Sequence, residues 1–327
     1  MTTPRDSPSR RSAFTLVELL TVIGIIALLI GILVPSLARA RDIAKKASTR
    51  AELDAISKSL SMFENDYQSL PESSSDRIDP ITGLPGAGSN NRLMGAHWLA
   101  RAMAGPDFQG VDIGGHFLKD REKVSVVDGH ITSVTSGGSG IPFATAATAD
   151  RKGSYLESAK VLARDTDNRL QQIRSPGTGR LVIIDSFNWP ILYYKANPRA
   201  RHSFSNTNSR FGPNEPLGIY NLSDNIEITG DGSSGSGWDF AGSGVSHGLG
   251  YFGPDQSTIL SSPDSVHSDL PPATTHRGKS FVDYLHEHRT HETGNVIKPV
   301  KPESFVLISP GKDGIYGTDD DVNNFSD

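Results

Sequence analysis

The stretch from Arg10 to Ala40 reads RRSAFTLVELLTVIGIIALLIGILVPSLARA. Within it, Phe14 to Val34 is a run of 21 residues with a single charged side chain, Glu18. A helix rises about 1.5 Å per residue, so a helix of about 20 residues matches a hydrocarbon core of roughly 30 Å. The run therefore predicts a membrane-spanning helix.

The residues on either side of this run indicate its orientation. Arg5, Arg10 and Arg11 precede it against one acid, Asp6, so the positive-inside rule predicts a cytoplasmic N-terminus. A secretory signal has a shorter apolar run of about 7–15 residues and a small-residue cleavage site after it. Here the residues after Val34 read PSLARARDIAKKAS, which predicts a continuing helix instead.

Glu18 argues against the simplest alternative, a plain signal anchor. An acid near the centre of a membrane helix costs roughly 2.5–3.5 kcal/mol on insertion scales. Glu18 lies one turn from the start of the run, which lowers this cost without removing it. We therefore expect an interaction that compensates the charge.

The segment AFTLVELL, residues 13–20, closely resembles the class III leader of type IV pilins and type II secretion pseudopilins. In that family a prepilin peptidase cuts on the cytoplasmic side of the apolar run and N-methylates the new first residue. The resemblance implies a cut between Ala13 and Phe14, and it makes Glu18 the fifth mature residue. Pro35 is then the twenty-second, where the family commonly has a helix-kinking proline. The family favours Gly where this chain has Ala13, so we expect slower processing at worst.

The resemblance also implies a partner for the acid. Subunits of this family pack their apolar helices into a filament core, where the glutamate pairs with the free amine of a neighbouring subunit. Glu18 would pair with the amine of Phe14 in that arrangement. A buried ion pair is favourable only when both charges are present and well placed, so Glu18 would also fix the register of subunits.

A second periodic pattern extends the helix beyond the apolar run. Leu53, Ile56, Leu60, Phe63 and Tyr67 recur at spacings of 3, 4, 3 and 4, which is typical of an amphipathic helix. Pro35 removes one backbone donor and should kink the helix without ending it. The helix should end near Gln68, because Pro71 disfavours helix at Leu70.

These boundaries predict an α+β, pilin-like fold in which a long N-terminal helix packs on a small antiparallel sheet. The predicted divisions are a leader at 1–13, a transmembrane or filament-core helix at 14–35, its amphipathic second half at 36–68 and a periplasmic head at 69–327. Within the head, residues 197–302 form a long insertion relative to the compact family pattern.

Five further elements are predicted in the head. Leu93 to Met103 is a short helix, and short strands are expected at Lys123–Val127 and His130–Val134. Arg180 to Tyr194 reads as a hairpin of two β-rich runs around a turn. Ser304 to Ser309 is expected to supply the third strand of that sheet.

The hairpin resembles the D-P-W-G-N-P-Y-x-Y hairpin of the G-type major pseudopilins. Asp185, Asn188, Pro190 and Tyr194 correspond to recognisable positions of that motif. Trp189 departs from it, because it lies just before the proline. The resemblance implies that this chain is closest to the G-type subunit.

The insertion is predicted to be rich in loops. Gly212 to Gly253 contains 11 glycines in 42 residues, a composition expected to bury little apolar surface. Lys279 to Thr290 is a possible helix. His286, His288 and His291 at its end could bind a transition metal, but they lack the H-E-x-x-H order, and a solvated helix end is the favoured interpretation.

Composition excludes several classes of function. The chain has no cysteine, which excludes disulfides, thiol catalysis and Cys-ligated zinc. Its net charge of −5 gives no basic field for nucleic acid. The sequence GVSHG at 244–248 fits G-x-S-x-G, but it lies among glycines rather than between a strand and a helix, so we expect no enzymatic activity.

The C-terminal stretch ISPGKDGIYGTDDDVNNF, residues 308–325, gathers acids on glycine-rich backbone directly after a strand. Carboxylates on a flexible loop suit calcium, which takes about 6–8 oxygen ligands, although the EF-hand positions are absent. An exposed acidic tail is the alternative. The stretch resembles the calcium loop of G-type major pseudopilins, which implies the ligand candidates Asp313, Asp320 and Asp321, the Pro310 carbonyl, and Asp319 as a substitute.

Together these features predict a non-enzymatic pseudopilin that is inserted in the bacterial inner membrane by one span and polymerises into a periplasmic pseudopilus supporting protein export. The resemblance implies four kinds of partner besides its own copies: prepilin peptidase, other pseudopilins, an inner-membrane platform protein and an assembly ATPase. Two alternatives remain open at this point. One is a type IV pilin for adhesion or DNA uptake, and the other is a membrane-tethered binding or hydrolytic module whose insertion carries the activity.

Overall fold

The computed structural model describes the chain in the following ranges: 16–73, 94–105, 110–112, 122–127, 130–136, 141–142, 151–156, 162–166, 169–172, 180–200, 202–205, 218–230, 237–238, 246–250, 276–277, 279–286 and 298–326. The chain divides into two compact units, of which the first ends at Lys45 and the second begins at Lys46.

The first described element is a single helix, α1, from Leu16 to Tyr67. Pro35 lies inside it without ending it, as predicted. Gln68 follows the helix with φ at +56°, and its N–H donates to the carbonyl of Glu64 at 2.8 Å. The left-handed backbone conformation of Gln68 ends the helix, which confirms the predicted end near this residue.

The amphipathic stripe on the second half of α1 is confirmed. Leu53, Ile56, Leu60 and Phe63 are each 2% exposed or less. Tyr67 is half-buried and stacks on Phe63, with ring centroids 4.4 Å apart. The periodicity therefore identified the face of α1 that packs on the rest of the second unit.

The other elements described in the second unit are short. In chain order they are α2 (Gly95–Ala104), β1 (Val111–Asp112), β2 (Glu122–Val127), β3 (His130–Ser136), β4 (Ile141–Pro142), β5 (Arg151–Lys152), β6 (Leu162–Thr166), β7 (Arg169–Gln172), β8 (Arg180–Ile183), β9 (Leu192–Lys195), β10 (His202–Ser205), β11 (Gly218–Asn221), α3 (Ile226–Thr229), β12 (Ser246–His247), β13 (His276–Arg277), α4 (Phe281–Leu285), β14 (Phe305–Ser309) and β15 (Val322–Asn323). The fold is thus α+β, as predicted.

Most strand pairs in the described residues are antiparallel. The sheet β15-β14-β9 has β14 at its centre, and Ile308 of β14 lies opposite Leu192 of β9 and Asn323 of β15. The sheet β7-β6-β8 and the sheet β3-β2-β4 are also antiparallel. The two short pairs β10–β11 and β12–β13 are parallel. Helix α2, strands β2 and β3, and β14 confirm the predicted elements.

The predicted hairpin is present, but its two arms extend into different sheets. Its tip is closed by the Ile184–Pro190 bridge and by the Asp185 N–H donating to the Trp189 carbonyl at 2.9 Å. Beyond the tip, β8 pairs with β6 while β9 pairs with β14. Side-chain pattern alone does not identify which partner strand an arm takes, because the pairing is decided by distant segments.

The strands β8, β9 and β14 bury both of their faces, because successive side chains point to opposite sides. One face contributes Leu181, Ile183, Tyr193 and Leu307 to a cluster with the α1 stripe and α2. The other face contributes a set that packs against residues of the insertion: Val182, Ile184, Leu192, Tyr194, Val306 and Ile308.

The insertion covers this second face. Tyr220, Leu222, Ile228, Trp238 and Leu249 come from the glycine-rich tract, and each is buried in the second cluster. The expectation that this tract buries little apolar surface is therefore wrong for its described residues. The physical reason is that an apolar sheet face must be covered, and widely spaced large side chains are enough to cover it.

Replacing Trp238 with Ala should test this role of the insertion. Trp238 is 1% exposed, so its loss should lower the free energy of unfolding by about 3–5 kcal/mol. Chemical denaturation of the full chain in detergent would measure the change. Met62→Ala is the matched control, since Met62 is 57% exposed and should change stability by less than about 0.5 kcal/mol. An equally small effect at Trp238 would contradict the covering role.

Candidate functional site

The candidate site is the acidic loop, defined here as residues 310–321, which connects β14 to β15. Because β14 and β15 are antiparallel neighbours, the loop returns to the sheet that it leaves. Gly311 has φ at +64°, and a Cβ there would lie 2.3 Å from the carbonyl oxygen of Asp320. The two ends of the loop therefore approach each other more closely than any other residue type would allow.

Asp320 closes the loop through both carboxylate oxygens. Its Oδ2 accepts the backbone N–H of Lys312 at 2.8 Å and that of Asp313 at 3.1 Å. Its Oδ1 accepts the hydroxyl of Thr318 at 2.6 Å. Backbone amides thus orient this carboxylate toward the start of the loop.

Asp313 lies beside Asp320 and makes a local turn. Its Oδ1 accepts the N–H of Ile315 at 2.9 Å. Burial raises the pKa of Asp313, and the nearby Asp320 carboxylate raises that pKa further. The structure therefore brings these two acids together and places like charges close to one another.

The Asp321 carboxyl group points toward Gly317 and not toward the start of the loop. Its Oδ2 accepts the N–H of Gly317 at 2.8 Å, and the residue is 9% exposed. Burial raises the pKa of Asp321 to about 8, and the charges of Asp320 and Asp313 add to this shift.

The remaining two predicted ligands differ in exposure. The Asp319 side chain is 95% exposed, and its Oδ1 lies 3.4 Å from the Nζ of Lys279. Such a surface pair contributes little to stability. Pro310 is buried at the start of the loop.

The loop can offer a cation two adjacent carboxylates, those of Asp313 and Asp320. No group of three or more His, Cys, Asp or Glu side chains in the described part of the chain could hold a metal ion. Calcium accepts backbone carbonyl and water oxygens alongside carboxylates, so a pair of acids is compatible with it. A site built here would take most of its ligands from backbone and water.

Sequence reasoning missed the buried polar link between the hairpin and the acidic loop. Asp185 Oδ1 accepts the N–H groups of Phe187 and Trp189, each at 2.8 Å, and Oδ2 accepts the Ser309 hydroxyl at 2.6 Å. The Gly311 N–H in turn donates to the Ser309 hydroxyl oxygen at 3.3 Å. Asp185 was noted as part of a motif, but the motif carries no signal for Ser309.

Two carboxyl groups, those of Asp185 and Glu52, lie close to this polar link. Burial raises the pKa of Asp185 to about 6, and the charge of Glu52 on α1 adds to the shift. Glu52 Oε1 accepts the Ser186 hydroxyl at 2.8 Å, and burial raises the Glu52 pKa as well. The helix, the hairpin and the acidic loop are therefore connected through two partly desolvated carboxyls.

Two of the histidines singled out in the sequence, His247 and His286, lie in the described part of the chain, and both are buried. His247 Nδ1 accepts the Tyr316 N–H at 3.2 Å, so its Nε2 carries the proton that is donated to the Trp238 carbonyl at 2.7 Å. Its strand, β12, is followed by a 3-10 turn at Gly248–Gly250 rather than by an α-helix. This local structure lacks the strand–turn–helix form of a nucleophile elbow.

His286 corrects the expectation of a solvated helix end. It is 8% exposed, and its Nδ1 lies 3.2 Å from the Val282 carbonyl. Helix α4 ends at Leu285, before the end of the predicted segment, and His286 instead forms a β-bridge with Pro299. His288 and His291 lie outside the described residues.

The N-terminal candidates lie in the first unit. Glu18 and Pro35 are exposed on α1, whereas Ala13 and Phe14 lie outside the described residues. In the described part of the chain, α1 is the one helix that is long and apolar enough to cross a membrane, with a mean hydropathy of 2.8 in its most apolar window.

Residues 8–34 match the model of the prokaryotic N-terminal methylation motif. The match supports the type IV pilin-like or pseudopilin class. It covers the leader and the apolar half of α1, and it agrees with the α+β fold in which a long helix packs on a small sheet. No curated protein and no solved structure matches the chain at a significant level.

The match has consequences for processing and location. A prepilin-type motif implies cleavage by a prepilin peptidase and assembly into a filament of many subunits. Together with one apolar helix near the N-terminus, it fits a single-pass, membrane-anchored protein. The proteins that carry this motif are structural, which agrees with the expectation of a non-enzymatic chain.

The raised pKa of Asp321 should make stability depend on pH. A folded-state pKa of about 8, above the unfolded value of about 3.9, favours the protonated carboxyl in the folded state. The stability that this protonation provides is complete below about pH 3.9 and is lost as pH rises through about 8. Without calcium, the Tm of the full chain should therefore fall as pH rises from about 4 and level off above about pH 8.

Asp321→Asn should flatten this fall, because the amide oxygen can still accept the Gly317 N–H but carries no charge. Thermal unfolding in EDTA across this range would measure the slope. Asp319→Asn is the matched control and should keep the wild-type slope, since the Asp319 side chain is 95% exposed. Equal slopes in wild type and Asp321→Asn would show that Asp321 does not titrate as described.

Proposed function

We propose that this chain is a G-type structural subunit of a type II secretion pseudopilus. Its support is the prepilin-type motif at residues 8–34, whose apolar part lies in the long helix α1. The antiparallel sheet β15-β14-β9 and the acidic loop between two of its strands agree with the G-type pattern. The filament would support the export of folded proteins.

The apolar half of α1 supplies the surface for assembly. Leu16, Val17, Leu19 and Leu20 are between 59% and 77% exposed, and Glu18 lies exposed among them. In a membrane these side chains contact lipid, and in a filament they would contact the same helix of other subunits. The hydrophobic surface is thus suited to a temporary anchor that later becomes a filament core.

Glu18 would set the register of that core. After cleavage, Phe14 would carry a free amine, and this amine would pair with Glu18 of a neighbouring subunit. Removing one partner from such a buried pair leaves an uncompensated charge, which is strongly unfavourable. Mispaired neighbours would therefore be rejected.

The topology follows from the basic leader. Arg5, Arg10 and Arg11 would keep the N-terminus in the cytoplasm, which places the head in the periplasm. The peptidase that removes the leader would act at the inner membrane. Other pseudopilins, a platform protein and an assembly ATPase would complete the machine.

The closest alternative is a type IV pilin for adhesion or DNA uptake, which would share every feature of α1. Two observations favour the pseudopilin: the chain has no cysteine for a C-terminal disulfide, and its acidic loop lies between β14 and β15.

We also propose that the acidic loop binds calcium as a structural ion. Asp313 and Asp320 would hold it, with the Pro310 carbonyl, Asp321 and Asp319 as further candidates. Calcium would neutralise the adjacent carboxylates and so tie the start of the loop to its end. An ion that binds the folded state alone stabilises that state by linkage.

The glutamate can be tested apart from processing. Glu18→Ala should be cleaved and methylated at Phe14 like wild type, because the cut site is intact, yet it should fail to form filaments. Mass spectrometry of the mature chain and crosslinking between subunits would measure the two steps. If the leader is still present on the chain in native membranes, the assignment to the pilin-like class is wrong. If Glu18→Ala forms normal filaments, the proposed pairing of Glu18 with the Phe14 amine is wrong.

The same variant separates the two filament systems in the native host. If the chain serves secretion, Glu18→Ala should reduce the export of folded proteins to the medium and leave surface pili unchanged. Lost surface pili with normal export would favour the type IV pilin instead.

Calcium should raise the Tm of the full chain in detergent. At a free concentration of about 100 times Kd, the stabilisation would be about 2.7 kcal/mol. Asp313→Asn and Asp320→Asn should abolish this rise, because each removes a charge. The one amide oxygen can still accept the Ile315 N–H at position 313 or the Lys312 N–H at position 320. Glu303→Gln, which removes an exposed charge outside the loop, should retain the rise. The absence of any calcium response in wild type would return the loop to an acidic tail.

A further inference from the structure

A cavity of about 420 Å³ lies between α4 of the insertion and the segment that ends the described chain. Its walls include Asp283 and Tyr284 from α4, and Asp321, Asn323 and Phe325 from the C-terminal segment. Cavities of about 300–1,000 Å³ are the usual size for small-ligand sites. This cavity has no role in the filament assembly proposed above.

Two hydrogen bonds join the two walls of the cavity. The Lys279 N–H donates to the Gly317 carbonyl at 2.7 Å, which joins the start of α4 to the acidic loop. The Asn323 amide donates to the Tyr284 hydroxyl at 3.1 Å, which joins the other side. Segments distant in sequence thus form a preorganised space, and preorganisation reduces the entropic cost of binding.

Two carboxylates in the cavity are more than nine-tenths buried. Asp283 is 6% exposed, and its Oδ2 accepts the Ser280 hydroxyl at 2.7 Å. Asp321 is 9% exposed, and its Oδ2 accepts the Gly317 N–H at 2.8 Å. Oδ1 of Asp321 also accepts the Thr318 hydroxyl at 3.3 Å, so hydrogen bonds within the walls hold both carboxyl groups in place.

The charge balance of the lining is negative. Two acids, Asp283 and Asp319, stand against one lysine, Lys279, which pairs with Asp319 where both side chains are exposed. The raised pKa of Asp321 keeps that carboxyl largely protonated at neutral pH. A negative, partly desolvated cavity attracts cations, because field lines concentrate where the walls are of low dielectric.

The wall also contains two aromatic rings at nearly a right angle. Tyr284 and Phe325 have centroids 5.8 Å apart and an interplanar angle of 85°. Ring faces attract an ammonium or guanidinium group and also pack on its carbon atoms. A bare metal ion has no carbon atoms to pack against such a wall, whereas an organic cation uses both the rings and the acids.

We propose that this cavity binds an organic cation, an ammonium or guanidinium group on a short carbon stem. Asp283 neutralises the charged group, Asp321 offers it a carboxyl oxygen as a hydrogen-bond acceptor, and Tyr284 and Phe325 pack against the stem. This chemistry is shared by free amines and by the lysine or arginine side chains of a partner protein. The proposal is independent of whether the chain serves secretion or a pilus.

Isothermal titration calorimetry on the full chain in detergent, with EDTA present, would test it. The probes are cadaverine, agmatine and N-acetyl-lysine amide, and the anion glutarate is the negative control. The three cations should bind and glutarate should not. Tighter binding of the free amines would indicate a metabolite as the source, and equal or tighter binding of the blocked lysine would indicate a protein side chain.

Two cavity variants and one matched control define the site. Asp283→Asn should weaken cation binding about tenfold or more, because it removes a desolvated charge and keeps the acceptor for Ser280. Phe325→Leu changes a half-buried ring and should weaken binding about threefold to tenfold. Glu303→Gln removes an exposed charge that does not line the cavity and should leave binding unchanged.

Three outcomes would overturn the proposal. They are no binding of any cation at about 10 mM, equal losses in Asp283→Asn and Glu303→Gln, or binding that Phe325→Leu leaves unaltered. The Tm of each variant reports whether it is folded. Because Phe325 lies at the edge of the fold, its variant remains informative even if Asp283→Asn does not fold.

Discussion

The structure of the second unit depends on the need to cover both faces of the β8, β9 and β14 strands. Alternating side chains place Tyr193 and Leu307 on one face and Tyr194 and Val306 on the other, all fully buried. The amphipathic half of α1 covers the first face. The second face requires another layer, and the insertion supplies it. The requirement explains why a chain so rich in glycine still contains two dense apolar clusters.

The same sheet fixes the acidic loop. Strand β14 leads into the loop, β15 receives it, and the buried carboxyl of Asp185 accepts a hydrogen bond from Ser309 where the loop begins. The loop is consequently attached to the hairpin tip, and through Ser186 and Glu52 to α1. A change in loop conformation therefore alters polar contacts that are shielded from water, where each hydrogen bond matters most.

Local patterns predicted the parts of the fold that local forces decide. The 3–4 spacing from Leu53 to Tyr67 identified the buried face of α1, and Pro71 indicated its end near Gln68. The covering role of Trp238 and Leu249 could not be predicted, because glycine content describes the backbone between them and not where the large side chains pack. For the acidic loop, the sequence predicted which aspartates are clustered but not which way each carboxyl group points. Backbone amides turn Asp320 inward and Asp321 toward Gly317, while Asp319 faces solvent.

The packing of the insertion also bears on the idea of a tethered module that acts on its own. An independent module needs its own hydrophobic core, as autonomous domains do. The described apolar residues of the insertion instead share one cluster with Tyr194, Val306 and Ile308 of the sheet. His247 strengthens this connection, since it bonds Trp238 of the insertion on one side and Tyr316 of the acidic loop on the other. The described part of the insertion is therefore part of the head, and a ligand in the cavity beside α4 would be bound by the subunit itself.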